Sequence, residues 1–332
     1  MIRVHTVPEY DVIVGKNLKA FESLGDTRLF VLCDWNVFSI YKNILKNCCV
    51  YTFPAGEKSK TTETAVKILT AMAENGFGRN DTLVAFGGGV TGDLGGFCAS
   101  VYMRGIRYIQ MPTTILAAVD SSVGGKTAVD FAGHKNLVGS FWQPSKVFCD
   151  TDFFKTLPHR QYAAGFAEIV KYGTISDKKL FSIIENGEFE LENVIEQCID
   201  IKRKIVEKDT RDMGIRKILN FGHTVGHAIE KLSNFGILHG EAVAVGMCVV
   251  LRGSQRLGLC KNGTAQRVSE VLHKYALPIS CDFCAEDILN EVKSDKKRAG
   301  NSTDVIIVPE IGRAEIVPMG DNELFEIIRA GL

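Results

Sequence analysis

Up to about residue 150 the chain alternates short apolar runs with amphipathic stretches, and this alternation restricts its fold more than any other feature. Tyr10–Val14, Arg28–Cys33, Cys48–Phe53, Thr82–Phe86, Tyr108–Met111 and Lys146–Cys149 read as strands. Helical periodicity fills the gaps, most clearly over Thr62–Glu74 with Val66, Ile68, Leu69 and Met72. Such alternation predicts an open, mostly parallel sheet wrapped by helices. From Asp152 the character changes. Long helical stretches follow at Arg160–Tyr172, Leu191–Asp209, Asn220–Leu232, Glu241–Leu257 and Thr264–Tyr275, and only Asp304–Val308 and Ala314–Val317, around Gly312, look strand-like. The expected fold class is α/β: an N-terminal Rossmann-like domain over 1–151 and a mainly α-helical C-terminal domain over 152–332. A cleft between two domains is the natural place for a site.

The balance of charge narrows the function. Lysine plus arginine and aspartate plus glutamate number 39 each, so the chain of 332 residues carries no net charge. A nucleic-acid binder usually has a basic excess and a membrane-surface protein a basic face; neither is present. The longest apolar stretch, Ala242 to Leu251, is too short to span a bilayer. The N-terminus, Met1-Ile-Arg-Val-His-Thr, reads as a strand and not as a signal peptide, so a cytoplasmic location is expected. The ten cysteines agree, lying in apolar settings such as Leu32-Cys33-Asp34. The C-x-x-C at Cys281-Asp-Phe-Cys284 has no second half and reads as two packed thiols.

Two features carry chemistry. His223 and His227 lie four residues apart, on one helix face, downstream of Glu168 and upstream of His239; this is the pattern of a catalytic divalent-metal site. The glycine-rich turn Gly87-Gly-Gly-Val-Thr-Gly-Asp-Leu-Gly-Gly96 follows the strand ending at Phe86 and precedes a helix starting near Thr91. Glycines let backbone approach a phosphate, and helix N-terminal amides favour the anion. Alone, the cluster also reads as a tight strand-to-helix turn. Asp34, ending the second strand, and Pro54-Ala-Gly-Glu57-Lys58-Ser-Lys60, after the third, lie where an open sheet meets its nucleotide. Met111 through Gly139 is dense in glycine, hydroxyls and charge, with Asp120, Lys126, Lys135 and Asn136. Such a segment reads as a pocket wall, because buried charges need partners.

At this point the chain resembles the dehydroquinate synthases, within the sugar phosphate cyclase group, nearly end to end. The residues that carry the resemblance are Gly87–Phe97, Tyr102-Met-Arg-Gly-Ile106, Pro112–Thr127, Lys135-Asn136, Ala167-Glu168-Ile-Val-Lys171-Tyr-Gly173, Leu219–Glu230 and His239-Gly-Glu241. The resemblance implies conversion of 3-deoxy-D-arabino-heptulosonate 7-phosphate to 3-dehydroquinate plus phosphate. The C5 alcohol is oxidised, phosphate is eliminated, the ketone is reduced again, the ring opens and an intramolecular aldol step closes the carbocycle. NAD is recycled within each turnover.

By the same resemblance, Glu168, His223 and His239 are ligands of Zn2+, with Co2+ an alternative, and His227 contacts substrate. Asp120 and Lys171, with Glu168, lie at the reacting carbons. Lys126, Lys135, Asn136, Lys202, Arg216 and Asn220 grip the phosphate and carboxylate of the small phosphorylated keto acid. Arg104 reaches the site of a neighbouring subunit, implying a homodimer. The NAD-binding set is Asp34, Glu57, Lys60, Gly89, Val90, Thr91, Gly92, Asp93, Thr113, Thr114, Lys126, Lys135, Phe153, Phe154, Lys155 and Thr156. A carboxylate near the ribose favours NAD over its phosphorylated form.

Four positions depart from the pattern: Ala118, Asp130, His134 and Asp212 stand where the family has Gln, Asn, Gly and Glu. Asp295-Lys296-Lys297 fits a lysine-bearing loop of the family. The rival readings are a sister cyclase acting on another sugar phosphate, a metal-dependent alcohol or glycerol dehydrogenase of the same fold, which would release NADH, and a non-enzymatic NAD sensor. The anion-gripping set argues against the first two and the intact ligand set against the third.

Overall fold

The computed structural model describes residues 1–25, 27–294 and 302–332, so the Asp295-Lys296-Lys297 reading lies outside the described residues. The chain divides into two compact units, Met1–Leu157 with Lys202–Arg211, and Pro158–Ile201 with Asp212–Leu332. Compared with an expected cut after residue 151, the turns of Thr151–Thr156 group with the first unit, and so does a ten-residue segment beginning at Lys202.

In the first unit the strands are β1 (Ile2–Val4), β2 (Tyr10–Gly15), β3 (Leu29–Asp34), β4 (Cys49–Phe53), β5 (Thr82–Gly87), β6 (Arg107–Pro112), β7 (Lys126–Phe131), β8 (His134–Phe141) and β9 (Lys146–Asp150). Seven form one sheet in the order β1-β2-β9-β6-β5-β3-β4, parallel throughout except for β1, which pairs antiparallel with β2. All six predicted strands are present, and the N-terminal segment adds the edge. Successive residues of β3 serve opposite faces: Phe30 and Leu32 join one apolar core, Val31 and Cys33 the other. Buried on both faces, these strands show apolar runs, as parallel strands do.

The segment expected to be a pocket wall has more regular structure than predicted. Ala117–Ser121 forms a π-helical turn, and β7 and β8 pair as an antiparallel hairpin. Helix Gly89–Val101 packs on this hairpin and on β5. Its glycines permit the approach: a Cβ on Gly96 would stand 2.3 Å from Thr127 Cγ2.

The second unit is built around helix His239–Arg256, whose Ala242–Leu251 stretch is buried throughout. Helices His159–Ser176, His223–Leu232, Thr264–Lys274 and Asp321–Gly331 surround it, so the apolar run is a core helix. β10 (Ser302–Glu310) and β11 (Arg313–Gly320) form the hairpin expected around Gly312. No helix among the described residues is long and apolar enough to cross a membrane.

Candidate active site

The first unit gathers most of the residues expected to bind a nucleotide. Helix Gly89–Val101 begins after Gly88 with no side-chain cap, leaving its first amides for a ligand. A Cβ on Gly88 would lie 3.2 Å from Thr114 Cγ2, and one on Gly89 3.4 Å from Ser121 Oγ, so the turn faces two hydroxyl side chains at close range. Thr113 donates its amide to the Gly87 carbonyl at 2.9 Å, fixing the end of β6 beside the turn. Val90 is half-buried, whereas Thr91 and Gly92 face inward; Gly92 lies against the Gln110 side chain. Asp34 spends one carboxylate oxygen capping helix Trp35–Tyr41 through the amides of Asn36 and Val37.

Lys60, buried, sits in the middle of a charged network. Its ammonium lies 2.5 Å from Asp93 and donates to Asn136 Oδ1 at 2.5 Å, while Glu57 stands 4.0 Å from Lys60 and 3.6 Å from Lys135. Burial alone pushes Lys60 down, but Asp93 and Glu57 outweigh it and hold the ammonium above its ordinary range. Asp130, one of the four departures, accepts the Asn136 amide at 2.8 Å. In the Phe153–Thr156 stretch, Phe154 is core, and Phe153 packs at 5.0 Å on both Tyr41 and Phe86. Lys155 and Thr156 are exposed.

Lys202, 5% exposed, donates to Asp120 Oδ1 at 2.8 Å and to the Asp120 carbonyl at 2.5 Å. Lys126 opens β7 as an exposed residue. Arg104 is exposed on the turn Tyr102–Arg104, with φ of 67°.

In the second unit four chain segments meet. Helix His159–Ser176 supplies Glu168 and Lys171, one turn apart, at 0% and 1% exposure. The predicted helix Asn220–Leu232 is broken: Ile215–Asn220 is a 3-10 segment carrying buried Arg216 and exposed Asn220, and the α-helix starts at His223. Gly222 makes the break, at φ of 78°, where a Cβ would also meet Met247 Cγ at 2.6 Å. His239 opens the core helix, whose start is pinned by Glu241. That carboxylate takes the Leu238 amide at 2.8 Å and two Arg160 bonds of 2.6 Å each. Burial raises Glu241, but Arg160 and the Leu238 amide outweigh it and hold it below the usual carboxylate range.

The rings of His223, His227 and His239 have ligand atoms within 4.8 Å of one another. Glu168 Oε1 stands 3.5 Å from His223 Nε2 and 3.7 Å from His239 Nε2. Ligands about 2.1 Å from a tetrahedral zinc lie about 3.4 Å from each other, so Glu168 Oε1 stands from each of the two histidine nitrogens at the spacing of donors around one shared ion. Their chemistry agrees. His223 Nδ1 faces the Phe221 carbonyl at 3.1 Å and His239 Nδ1 faces Glu230 Oε2 at 3.2 Å, so each contact favours the proton on Nδ1 and turns Nε2 toward Glu168 Oε1. Burial, and then the Lys171 charge, keeps the His223 pKa well below 6.5, so that ring is neutral and fit to ligate. Neither Glu168 oxygen accepts a hydrogen bond of ordinary geometry, although the Lys171 ammonium is in ion-pair contact with Oε2. A buried carboxylate held this way suits a second cation at Oε1.

Glu230 carried no expected role, yet positions 223, 227 and 230 share one helix face, a spacing of four and three that marks it as a neighbour of the histidines. Ser121 likewise gave no signal beyond its place in a hydroxyl-rich segment.

A parallel sheet with an open glycine turn, joined in one chain to a helical unit with a histidine cluster, is the architecture of the sugar phosphate cyclases. A 2-epi-5-epi-valiolone synthase from Streptomyces hygroscopicus, solved with NAD+ and Zn2+ bound, superposes with a TM-score of 0.88 at 26% identity, covering 96% of this chain and 95% of that one. A 2-deoxy-scyllo-inosose synthase, complexed with carbaglucose-6-phosphate, NAD+ and Co2+, superposes at 0.86 with 27% identity, covering 100% of this chain and 99% of that one. The chain itself belongs to the 3-dehydroquinate synthase family: residues 50–164 match the family's N-terminal part and residues 165–298 its C-terminal part. It is 38% identical to the 3-dehydroquinate synthase of Clostridium kluyveri, covering 94% of this chain and 91% of that one. It is 45% identical to that of Enterococcus faecalis, with 81% and 78% covered. A glycerol dehydrogenase from Sinorhizobium meliloti shares the fold, at a TM-score of 0.64 and 17% identity.

Proposed function

We propose that this protein is a 3-dehydroquinate synthase, a carbon–oxygen lyase that converts 3-deoxy-D-arabino-heptulosonate 7-phosphate to 3-dehydroquinate and phosphate. The observation that carries the reading is the set of three matched donors, Glu168 Oε1, His223 Nε2 and His239 Nε2, with Lys171 beside them. When bound, a divalent ion such as Zn2+ polarises the substrate hydroxyl, and NAD takes up and returns the hydride.

The chain's own residues supply the rest. Gly88, Gly89 and the first amides of helix Gly89–Val101 hold the cofactor's pyrophosphate, and Thr114 and Ser121 flank it. Lys60, fixed by Asp93, keeps Glu57 in place at the ribose end and Asn136 in place for the substrate's anionic groups. Lys171, tied to Glu168, presents an ammonium where a proton is moved at the carbon next to the oxidised centre. Lys126, Lys135, Lys202 and Arg216 meet the substrate's phosphate and carboxylate by charge-assisted hydrogen bonds.

The protein works as a homodimer in this reading, with Arg104 given to the partner's site. Exposed Val101, Met103, Phe131, Leu137 and Phe141, from the segments around Arg104 and the β7–β8 hairpin, suit a covered face. Ten free cysteines suit the cytoplasm. The decisive assay supplies the heptulosonate phosphate with catalytic NAD and follows phosphate and nicotinamide absorbance together. Many turnovers of phosphate without net NADH support the cyclase; stoichiometric NADH identifies a dehydrogenase, and no phosphate refutes the proposal.

A further inference from the structure

We infer that Glu230 is a positioning residue that sets the tautomer and orientation of His239. The inference rests on the metal-ligand reading of Glu168, His223 and His239. Its support is the Glu230 Oε2 contact with His239 Nδ1 at 3.2 Å, made between two different helices.

The two histidines of the ligand set are secured unequally. His223 is buried, and its Nδ1 proton is taken by the main-chain carbonyl of Phe221, two residues away in the same segment. His239 has a third of its side chain exposed and stands at the first position of its helix, where less packing restrains the ring. Glu230 compensates. It is 3% exposed, so its backbone and side chain are fixed by the helix His223–Leu232 that carries His223 and His227. Glu230 Oε2 stands on Nδ1, so the contact favours a proton there and turns Nε2 toward Glu168 Oε1, 3.7 Å away. A histidine side chain in water prefers the opposite tautomer, in which Nε2 carries the proton and cannot ligate. A carboxylate on Nδ1–H also makes Nε2 more basic and stops the ring turning over.

The main-chain carbonyl of Glu230 accepts bonds from Phe235 and Ser233, which a side-chain substitution leaves in place, so the side chain can be tested separately from the turn it precedes.

The experiment uses full-length protein with Glu230→Leu and Glu230→Gln, stripped of metal and titrated with Zn2+ against a chromophoric chelator. Zn2+ affinity is expected to fall about ten- to a hundredfold in Glu230→Leu and less in Glu230→Gln, with NAD affinity unchanged. Nitrogen-15 ring shifts of metal-free protein should place the His239 proton on Nδ1 in the parent and move it toward Nε2 in Glu230→Leu. Unchanged Zn2+ affinity together with an unchanged His239 tautomer overturns the inference. If Glu230→Leu does not fold, the near-isosteric Glu230→Gln decides by Zn2+ affinity alone, and a value within twofold of the parent overturns it. Parent protein that binds no Zn2+ would instead sink the ligand assignment, while the nitrogen shifts would still report on the Glu230–His239 bond.

Discussion

Lys202 Nζ lies 2.8 Å from Asp120 Oδ1 and also donates to the Asp120 carbonyl, so one ammonium holds the Ala117–Ser121 turn by its main chain and its side chain together. Lys202 is almost fully buried, and removing one partner of such a pair leaves the other charge poorly solvated. Lys202→Met should lower kcat/KM by roughly a hundredfold. In a double-mutant cycle with Asp120→Asn, the combined loss should fall short of the sum of the single losses, because both act through one contact. Strictly additive kcat/KM values would show that the two residues act separately.

Metal removal gives a second test. Chelation should abolish turnover while NAD still binds, since the open glycine turn belongs to the other unit, and Zn2+ or Co2+ should restore activity. Full activity in protein verified as metal-free would end the Glu168, His223 and His239 assignment.

A third prediction places Arg104 across the dimer. Arg104→Ala and Lys171→Ala homodimers should each be nearly inactive. Mixed and exchanged in equal amounts, about half the dimers become hybrids with one intact site of two, so roughly a quarter of parental activity should return. Subunits shown to exchange without regaining activity would leave Arg104 a local role.

Acid sensitivity follows from His223. Its folded pKa lies well below the 6.5 of the unfolded chain because burial and Lys171 oppose its charge. Above 6.5 neither state is protonated and the group contributes nothing; below it the unfolded state binds the proton and the native state does not, so stability falls. The melting temperature of metal-free protein should therefore drop from about pH 7 to about pH 5, and drop less in His223→Gln. Parallel profiles for the two proteins would count against it.

Packing provides the last test. Gly96→Ala puts a methyl 2.3 Å from Thr127 Cγ2 and 3.2 Å from Tyr108 Cζ, which should cost about 1–3 kcal/mol of stability in urea unfolding. Thr127→Ser, which removes that Cγ2, should recover part of the loss.

The parallel sheet was readable because both faces are buried and its strands show as apolar runs between turns, and the core helix showed as Ala242–Leu251. Helices Lys178–Asn186, Ala285–Ser294 and Asp321–Gly331 escaped, although the first had signals: Asp177 caps it through two amides and Gly187 closes it in the left-handed region. The break at Phe221-Gly222 was hidden because it falls just before the histidine pair, whose spacing marks only the helix that follows; the left-handed φ of 78° and the approach of Met247 that require the glycine arise on folding. Among the proposed site residues, those in dense polar motifs were visible. Glu230 and Ser121 were not, because what they do depends on His239 and Gly89, residues brought to them by folding.

The carboxylate of Glu168 is divided, one oxygen toward Lys171 and the other toward the two imidazoles. Lys171 thus acts as a resident counter-ion: with no ion at the imidazoles the buried carboxylate still has a cationic partner inside the fold. The charge balance at Glu168 is therefore not left to a bound metal alone, in contrast to small domains whose ligands have no partner until the ion arrives.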